Sequence, residues 1–225
     1  MDSDIIYSIA VWLVPLVIAI VFHEVAHGLV AKRLGDMTAQ QKGRLSLNPI
    51  KHIDPFGTVI LPMLLAISHA PVFGWAKPVP INYRRLRNPR RDMILVALAG
   101  PGMNLLLAVL GTLLLFIVVM TSAGPPTGAA AIVAANALNF VLINIFLAVF
   151  NLLPVPPFDG GHVVEGLLPA PLALRFRKAG RYSLLILMIL LLVLPALGAD
   201  VVGHVVSPIV DTIAKGLLAL FGLHG

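Results

Sequence analysis

The chain contains no cysteine. Disulfides are therefore excluded, and any metal site must be built from His, Asp, Glu or water. Charge is also scarce: 12% of the 225 residues are Asp, Glu, Lys or Arg, where a soluble domain carries about a quarter. What is abundant is apolar side chain, at 59% of residues with a mean hydropathy of +0.97. Apolar runs at 5–31, 56–76, 93–121, 129–153, 182–197 and 201–223 match the roughly 18 or more residues needed to cross a bilayer, the fifth only with its flanks. These runs predict an all-α polytopic membrane protein of about five to six transmembrane helices, forming one integral-membrane domain over 1–225. The start, "MDSDIIYS", is acidic and leads into a run too long for a signal peptide, so it reads as a retained first helix.

The sixteen Lys and Arg, which give a net charge of +6 and a pI near 10.1, do not read as a nucleic-acid surface. They fall into clusters at Lys32–Lys51, Lys77–Arg91 and Arg175–Arg181, with Lys215 alone. Positive charge collects on the cytoplasmic side of short loops. The rule places all three clusters inside and the N-terminus, the 122–128 turn and 198–203 outside. Only 56–76 resists, because it has a basic cluster on each side. With Pro62, Pro71 and Gly74 it reads as a re-entrant segment rather than a span. Five crossings follow, at 5–34, 91–121, 129–153, 180–197 and 201–223, with the C-terminus inside. The polar stretch 35–54 contains "GRLSLNP", whose alternation predicts a short membrane-associated β-strand or hairpin at 43–49.

Against this background "HEVAH" at 23–27 stands out. On a helix, His23 and His27 project one turn apart from one face, a spacing that chelates Zn²⁺, with Glu24 beside them to reach a metal-bound water. An ionisable group at mid-bilayer costs roughly 2.5–3.5 kcal/mol, so three in one turn imply function. His23 lies about 27 Å along the helix from Ile5 and about 13 Å before Lys32, inside the hydrocarbon and nearer the cytoplasmic face. A third protein ligand is needed. Asp159, Glu165 and Asp211 are the acidic candidates. With five crossings, the helix ending near 153 runs the same way as the first, so Asp159 arrives at the depth of the histidines. Pro154, Pro156 and Pro157 stop that helix, and Gly160 and Gly161 would allow an unusual backbone that holds the carboxylate.

These residues resemble the site-2 protease family of intramembrane zinc metalloproteases, in the compact branch without a PDZ domain. The likeness rests on "HEVAH" and on "NLLPVPPFDGG" (151–161), which fits an N-x-x-P-x-P-x-x-D-G pattern. "ALAGPGMN" (97–104), "GRLSLNP" and "FGWAKPVPIN" (73–82) add to it. The resemblance covers 15–165 well, which gives a catalytic core of about 5–165 and accessory helices at about 175–223. It implies one zinc per chain on His23, His27 and Asp159, with Glu24 as general base. It also implies that Asn151 supports the substrate carbonyl or oxyanion, and that the substrate is a transmembrane protein cleaved within or near the bilayer in regulated intramembrane proteolysis. The implied setting is the cell membrane with its lipid; homo-oligomerisation is left open.

A membrane metal-binding or metal-transport protein could use the same His/Asp cluster, but it would want such residues repeated along a path. A different HExxH peptidase would need a downstream glutamate, and Glu165 lacks the helical context. A dead scaffold would not retain Glu24. Of the other histidines, His52, His69, His204 and His224 have no partner at ligand spacing and read as interfacial or exposed, and His162 is not assigned to the site. Asn104 either faces the metal or bonds another helix. Gly100, Gly102 and Gly111 read as sites of close helix contact.

Overall fold

A computed structural model describes residues 2–68, 74–122 and 124–223; Pro71, His69 and His224 lie outside the described residues. The chain is helical throughout its ordered elements. Helix α1 spans Asp2–Arg33, α2 Thr38–Gln41, α3 Leu61–Ile67, α4 Pro89–Thr121 and α5 Gly128–Asn151. Then follow α6 (Asp159–Leu167), α7 (Ala170–Ala179), α8 (Ser183–Met188), α9 (Leu194–Ala196) and α10 (Ser207–Leu220). Helices α7, α8 and α9 are joined through 3-10 and π turns into one near-continuous rod. Five segments are long and apolar enough to cross a bilayer: Val11–Arg33, Pro89–Thr121, Gly128–Asn151, Ala170–Ala196 and Val202–Leu220. The five expected crossings are these, the fourth starting ten residues earlier than its hydropathy suggests because the basic helix α7 runs straight into it.

Helices α1, α4 and α5 form the body. The side-chain bonds between them give their directions. His27 meets Val96 and His23 meets Asn104, so α1 and α4 are antiparallel. Asn104 meets Asn144, while Gly111 abuts Phe140 and Val141, so α4 and α5 are antiparallel too. Helices α1 and α5 therefore run parallel, with one full crossing between them. The segment Pro55–Ile67, a six-residue π turn continuing into the seven residues of α3, reaches about 20 Å. That is short of the roughly 30 Å hydrocarbon core, as the charge pattern requires.

Pro15 sits inside α1 and has no N–H to give to the carbonyl of Val11 four residues back. Asn139 Nδ2 on α5 donates to that carbonyl instead, at 2.9 Å. In lipid no water could do so. At the other end, Lys32 and Arg33 occupy the last turn of α1, favourably placed against the helix dipole. Gly35 follows at φ 110°, a left-handed stop that only glycine takes without cost.

No strand forms among the described residues, so the hairpin expected at 43–49 is not present. Residues 44–48 lack regular structure. Their alternation is real, but their anchoring comes from side chains rather than a ladder. His52 Nε2 meets Ser46 O at 2.8 Å, Arg44 Nη2 donates to Lys77 O at 2.7 Å, and Leu45 packs against Gly28 of α1. His52 is thus buried as a pin, not exposed as its isolation in sequence suggested; His204 is exposed as expected. The strap 75–82 runs over this layer. Trp75 N–H donates to Gly57 O and Lys77 N–H to His52 O.

Asp36 closes the layer. It is fully buried, with Oδ1 accepting from the Thr38 N–H (3.0 Å) and hydroxyl (2.5 Å) and Oδ2 accepting from Asn82 N–H (2.5 Å). Burial alone would raise its pKa, but these donors and the Arg85 charge outweigh it and lower the pKa below its ordinary value. A carboxylate with a depressed folded pKa stabilises above its unfolded pKa of about 3.9, and that stabilisation is lost as pH falls through the folded value. Asp36→Ala should therefore cost about 1–3 kcal/mol at neutral pH. Thermal unfolding in detergent should show the wild-type and variant midpoints converging as the pH is taken below about 4.

Candidate metal centre

His23 and His27 lie on the same face of α1, each about 7% exposed. Asp159 is the first residue of α6, just after its N-cap Phe158. The three side chains meet. His23 Nε2 and His27 Nε2 are 3.0 Å apart, and Asp159 Oδ2 is 3.2 Å from the first and 3.3 Å from the second. Among the described residues this is the one group of three or more His, Asp or Glu able to share an ion. Glu165 instead pairs with Arg177 at 2.6 Å, and Asp211 is exposed on α10.

Protonation decides what this triangle wants. His27 Nδ1–H donates to Val96 O at 2.7 Å, and His23 Nδ1–H donates to Asn104 Oδ1 at 2.5 Å. A neutral imidazole that donates from Nδ1 presents a bare lone pair at Nε2. Two such lone pairs and a carboxylate oxygen then converge, and Asp159 Oδ2 is buried without a hydrogen-bond donor. Three lone pairs at this separation repel one another unless a proton or a metal cation lies between them. A tetrahedral Zn²⁺ with bonds of roughly 2.0–2.1 Å puts neighbouring ligand atoms about 3.3 Å apart, close to the observed edges. The donor set therefore fits zinc, with a fourth position left over.

Each ligand is positioned by identifiable residues. Helix α4 approaches the histidines at Gly100, where a Cβ would overlap His27 Nε2 and stand 2.6 Å from His23 Nε2. Of the three glycines expected at helix contacts, Gly111 packs on α5, Gly100 packs on the imidazoles, and Gly102 faces open space. Gly160 and Gly161 act through closeness rather than through unusual torsion. Neither has a positive φ, but a Cβ on Gly160 would overlap the Leu152 carbonyl, and one on Gly161 would stand 3.0 Å from Val155 O. Helix α6 can thus start flush against the proline turn. Phe158 anchors that turn edge-on to Phe150, ring centroids 4.6 Å apart. At the other end of α6, the Arg90 guanidinium donates to Gly166 O at 2.8 Å and to Leu168 O. Arg90 counts in sequence only as a topology charge; here it caps the helix that carries Asp159.

Glu24 follows His23 on α1, and its Oε2 accepts the Val79 N–H at 2.7 Å. Asn151 is the last residue of α5, and its Nδ2 donates to Leu147 O at 2.9 Å. His162 is exposed and lines a separate cavity of about 340 Å³ with Tyr83, Arg90, Glu165 and Arg177. Asn104, which sequence leaves between two roles, has both. It bonds His23 and also Asn144 of α5, at 2.8 Å. Sequence gives no sign of Asn144 or of the Val96 carbonyl.

With this geometry in hand, the chain was compared with known proteins. The family described as Peptidase family M50 matches residues 117–194. The chain is 36% identical over 226 residues to "Putative zinc metalloprotease YwhC" of Bacillus subtilis (strain 168), covering 98% of each protein. It is 32% identical over 194 residues to "Putative zinc metalloprotease Rip2" of Mycolicibacterium smegmatis, covering 85% of this chain and 68% of that one. Over 188 residues it is 32% identical to the Rip2 of Mycobacterium tuberculosis (strain H37Rv), covering 82% and 66%. No solved structure matches.

Gly100→Ala should push the imidazoles off their shared point. Purified variant protein should contain far less than one divalent metal per chain by elemental analysis. An undiminished metal content would show that the α4 wall does not set the histidine positions.

Proposed function

The chain belongs to peptidase family M50, the site-2 protease family of intramembrane zinc metalloproteases, and from that premise we propose that His23, His27 and Asp159 hold its zinc while Glu24 is the general base. The observation that carries this is the meeting of two imidazole Nε2 atoms and one carboxylate oxygen within 3.0–3.3 Å of one another. The protein is a multi-pass membrane protein that acts on membrane-protein substrates; the finer steps are proposed as follows.

Zinc at this site supplies Lewis acidity, lowering the pKa of water towards about 7 and polarising a carbonyl. Glu24 accepts the proton of the attacking water and returns it to the leaving amide nitrogen. The Val79 N–H on Oε2 holds the carboxylate and leaves Oε1 to carry the proton. Asn151 commits one amide hydrogen to Leu147 O; its second is free to donate to the developing oxyanion, a contact worth about 3–4 kcal/mol in other hydrolases. Asp159 stays ionised as a ligand.

A transmembrane substrate must unwind before its peptide bonds can be reached. Residues 43–49 are the segment we assign to that task. They lie against α1 at Gly28, beside His27, with Leu45 in that contact and Leu47 exposed. A peptide could pair with this backbone by β-addition, forming the strand only when substrate is present. The basic clusters favour an orientation with the N-terminus outside and the site near the cytoplasmic face. Residues 5–165 would then form the catalytic core and 175–223 an accessory part of one domain, working in regulated release of membrane-tethered proteins.

Glu24→Gln should retain zinc but lose at least about 100-fold in cleavage of a helical membrane substrate; unchanged turnover would remove the assignment. Leu47→Pro should slow cleavage without altering metal content. Full-rate cleavage by that variant would rule out the pairing role of 43–49.

A further inference from the structure

The mechanism uses neither Asn104 nor Asn144, yet both are fully buried between the three body helices. We infer that they form a relay that sets the tautomer of His23 and so keeps its lone pair aimed at the metal. This rests on His23 being a zinc ligand, and makes Asn104 and Asn144 positioning residues.

The relay starts at a backbone carbonyl. Phe140 O can only accept, so Asn144 must turn its Nδ2 towards it, at 2.8 Å. That leaves Asn144 Oδ1 facing α4, where it can only accept, and Asn104 must present Nδ2 to it, at 2.8 Å. The second hydrogen of that same Nδ2 goes to Ala19 O on α1, at 3.3 Å. Asn104 Oδ1 is thereby left for His23 Nδ1, at 2.5 Å. Because Oδ1 accepts, Nδ1 must carry the proton and Nε2 must be bare.

Every amide in the series is locked by the one before it. Reversing either would set donor against donor or acceptor against acceptor at both of its ends. In a wet site a water could absorb the mismatch. Here Asn104 and Asn144 are fully buried, and an unsatisfied buried polar group costs about 1–3 kcal/mol. His27 needs no relay, since Val96 O on α4 accepts from its Nδ1 directly. The two imidazoles are therefore held by different means: one by a backbone carbonyl, the other by two side chains that span α4 and α5. Partners of this kind around metal-bound histidines typically contribute about 10–100-fold to metal affinity.

The test is zinc affinity, measured by competition with a chromophoric chelator on the purified full chain in detergent. Asn104→Leu should bind zinc about 10–100-fold more weakly, and Asn144→Leu more weakly by a smaller factor. Asn139→Leu is the control. It removes a part-buried Asn bond between α5 and α1 that does not touch His23, and it should leave affinity unchanged. Unaltered affinity in Asn104→Leu, or an equal loss in all three variants, overturns the relay. Should the Leu variants fail to fold, the ring ¹⁵N shifts of the metal-free wild-type chain decide. His23, assigned by its loss in His23→Gln, should show a protonated Nδ1 and a bare Nε2; the opposite tautomer overturns the relay. Undiminished zinc binding by His23→Gln would instead defeat the metal-site reading itself.

Discussion

Two imidazole nitrogens and one carboxylate oxygen, each able to offer a lone pair, share a space about 3 Å across where α1 meets the start of α6. Left alone they repel, and the helices that carry them would be driven apart. A dication reverses the sign of that interaction. The rest of the body serves this meeting: α1 and α5 run parallel, so the opening helix and the turn after α5 end together. A short segment at Pro55–Ile67 that does not complete a crossing is what keeps that parity.

Around the two histidines, each Nδ1 has a hydrogen-bond partner within the protein, as hydrocarbon surroundings demand. Those partners are an asparagine amide for His23 and a backbone carbonyl for His27. Glycine supplies the complementary device. Gly100 lets a backbone stand against the imidazoles, and Gly160 and Gly161 let α6 begin against the proline turn. Residues that look like generic helix-packing features in a membrane sequence are here fitted to a few specific atoms.

How much of this was legible beforehand varies by residue. The spans were, because apolar length and basic clusters are sequence-local quantities. The meeting of His23, His27 and Asp159 was too, since a one-turn spacing and a count of crossings fix both face and depth. What could not be read was anything set by contact across helices. His52 has no sequence neighbour that marks it as buried, yet it pins Ser46. Arg90 looks like any other cytoplasmic charge, yet it caps α6. The alternation of "GRLSLNP" signalled a strand because that pattern normally reports a ladder; here no neighbouring strand exists among the described residues, and side chains hold the segment instead. Asn144 lies in a run so apolar that only its partner on α4 reveals it.

The proline in α1 makes that helix depend on a distant part of the chain. Val11 has a carbonyl that its own helix cannot satisfy, and the amide that completes it lies 128 residues later in the chain. Helix α1 is therefore complete only when α5 packs against it. The helix that carries both histidines and the helix that leads to Asp159 are thus interlocked through one amide well away from the metal centre.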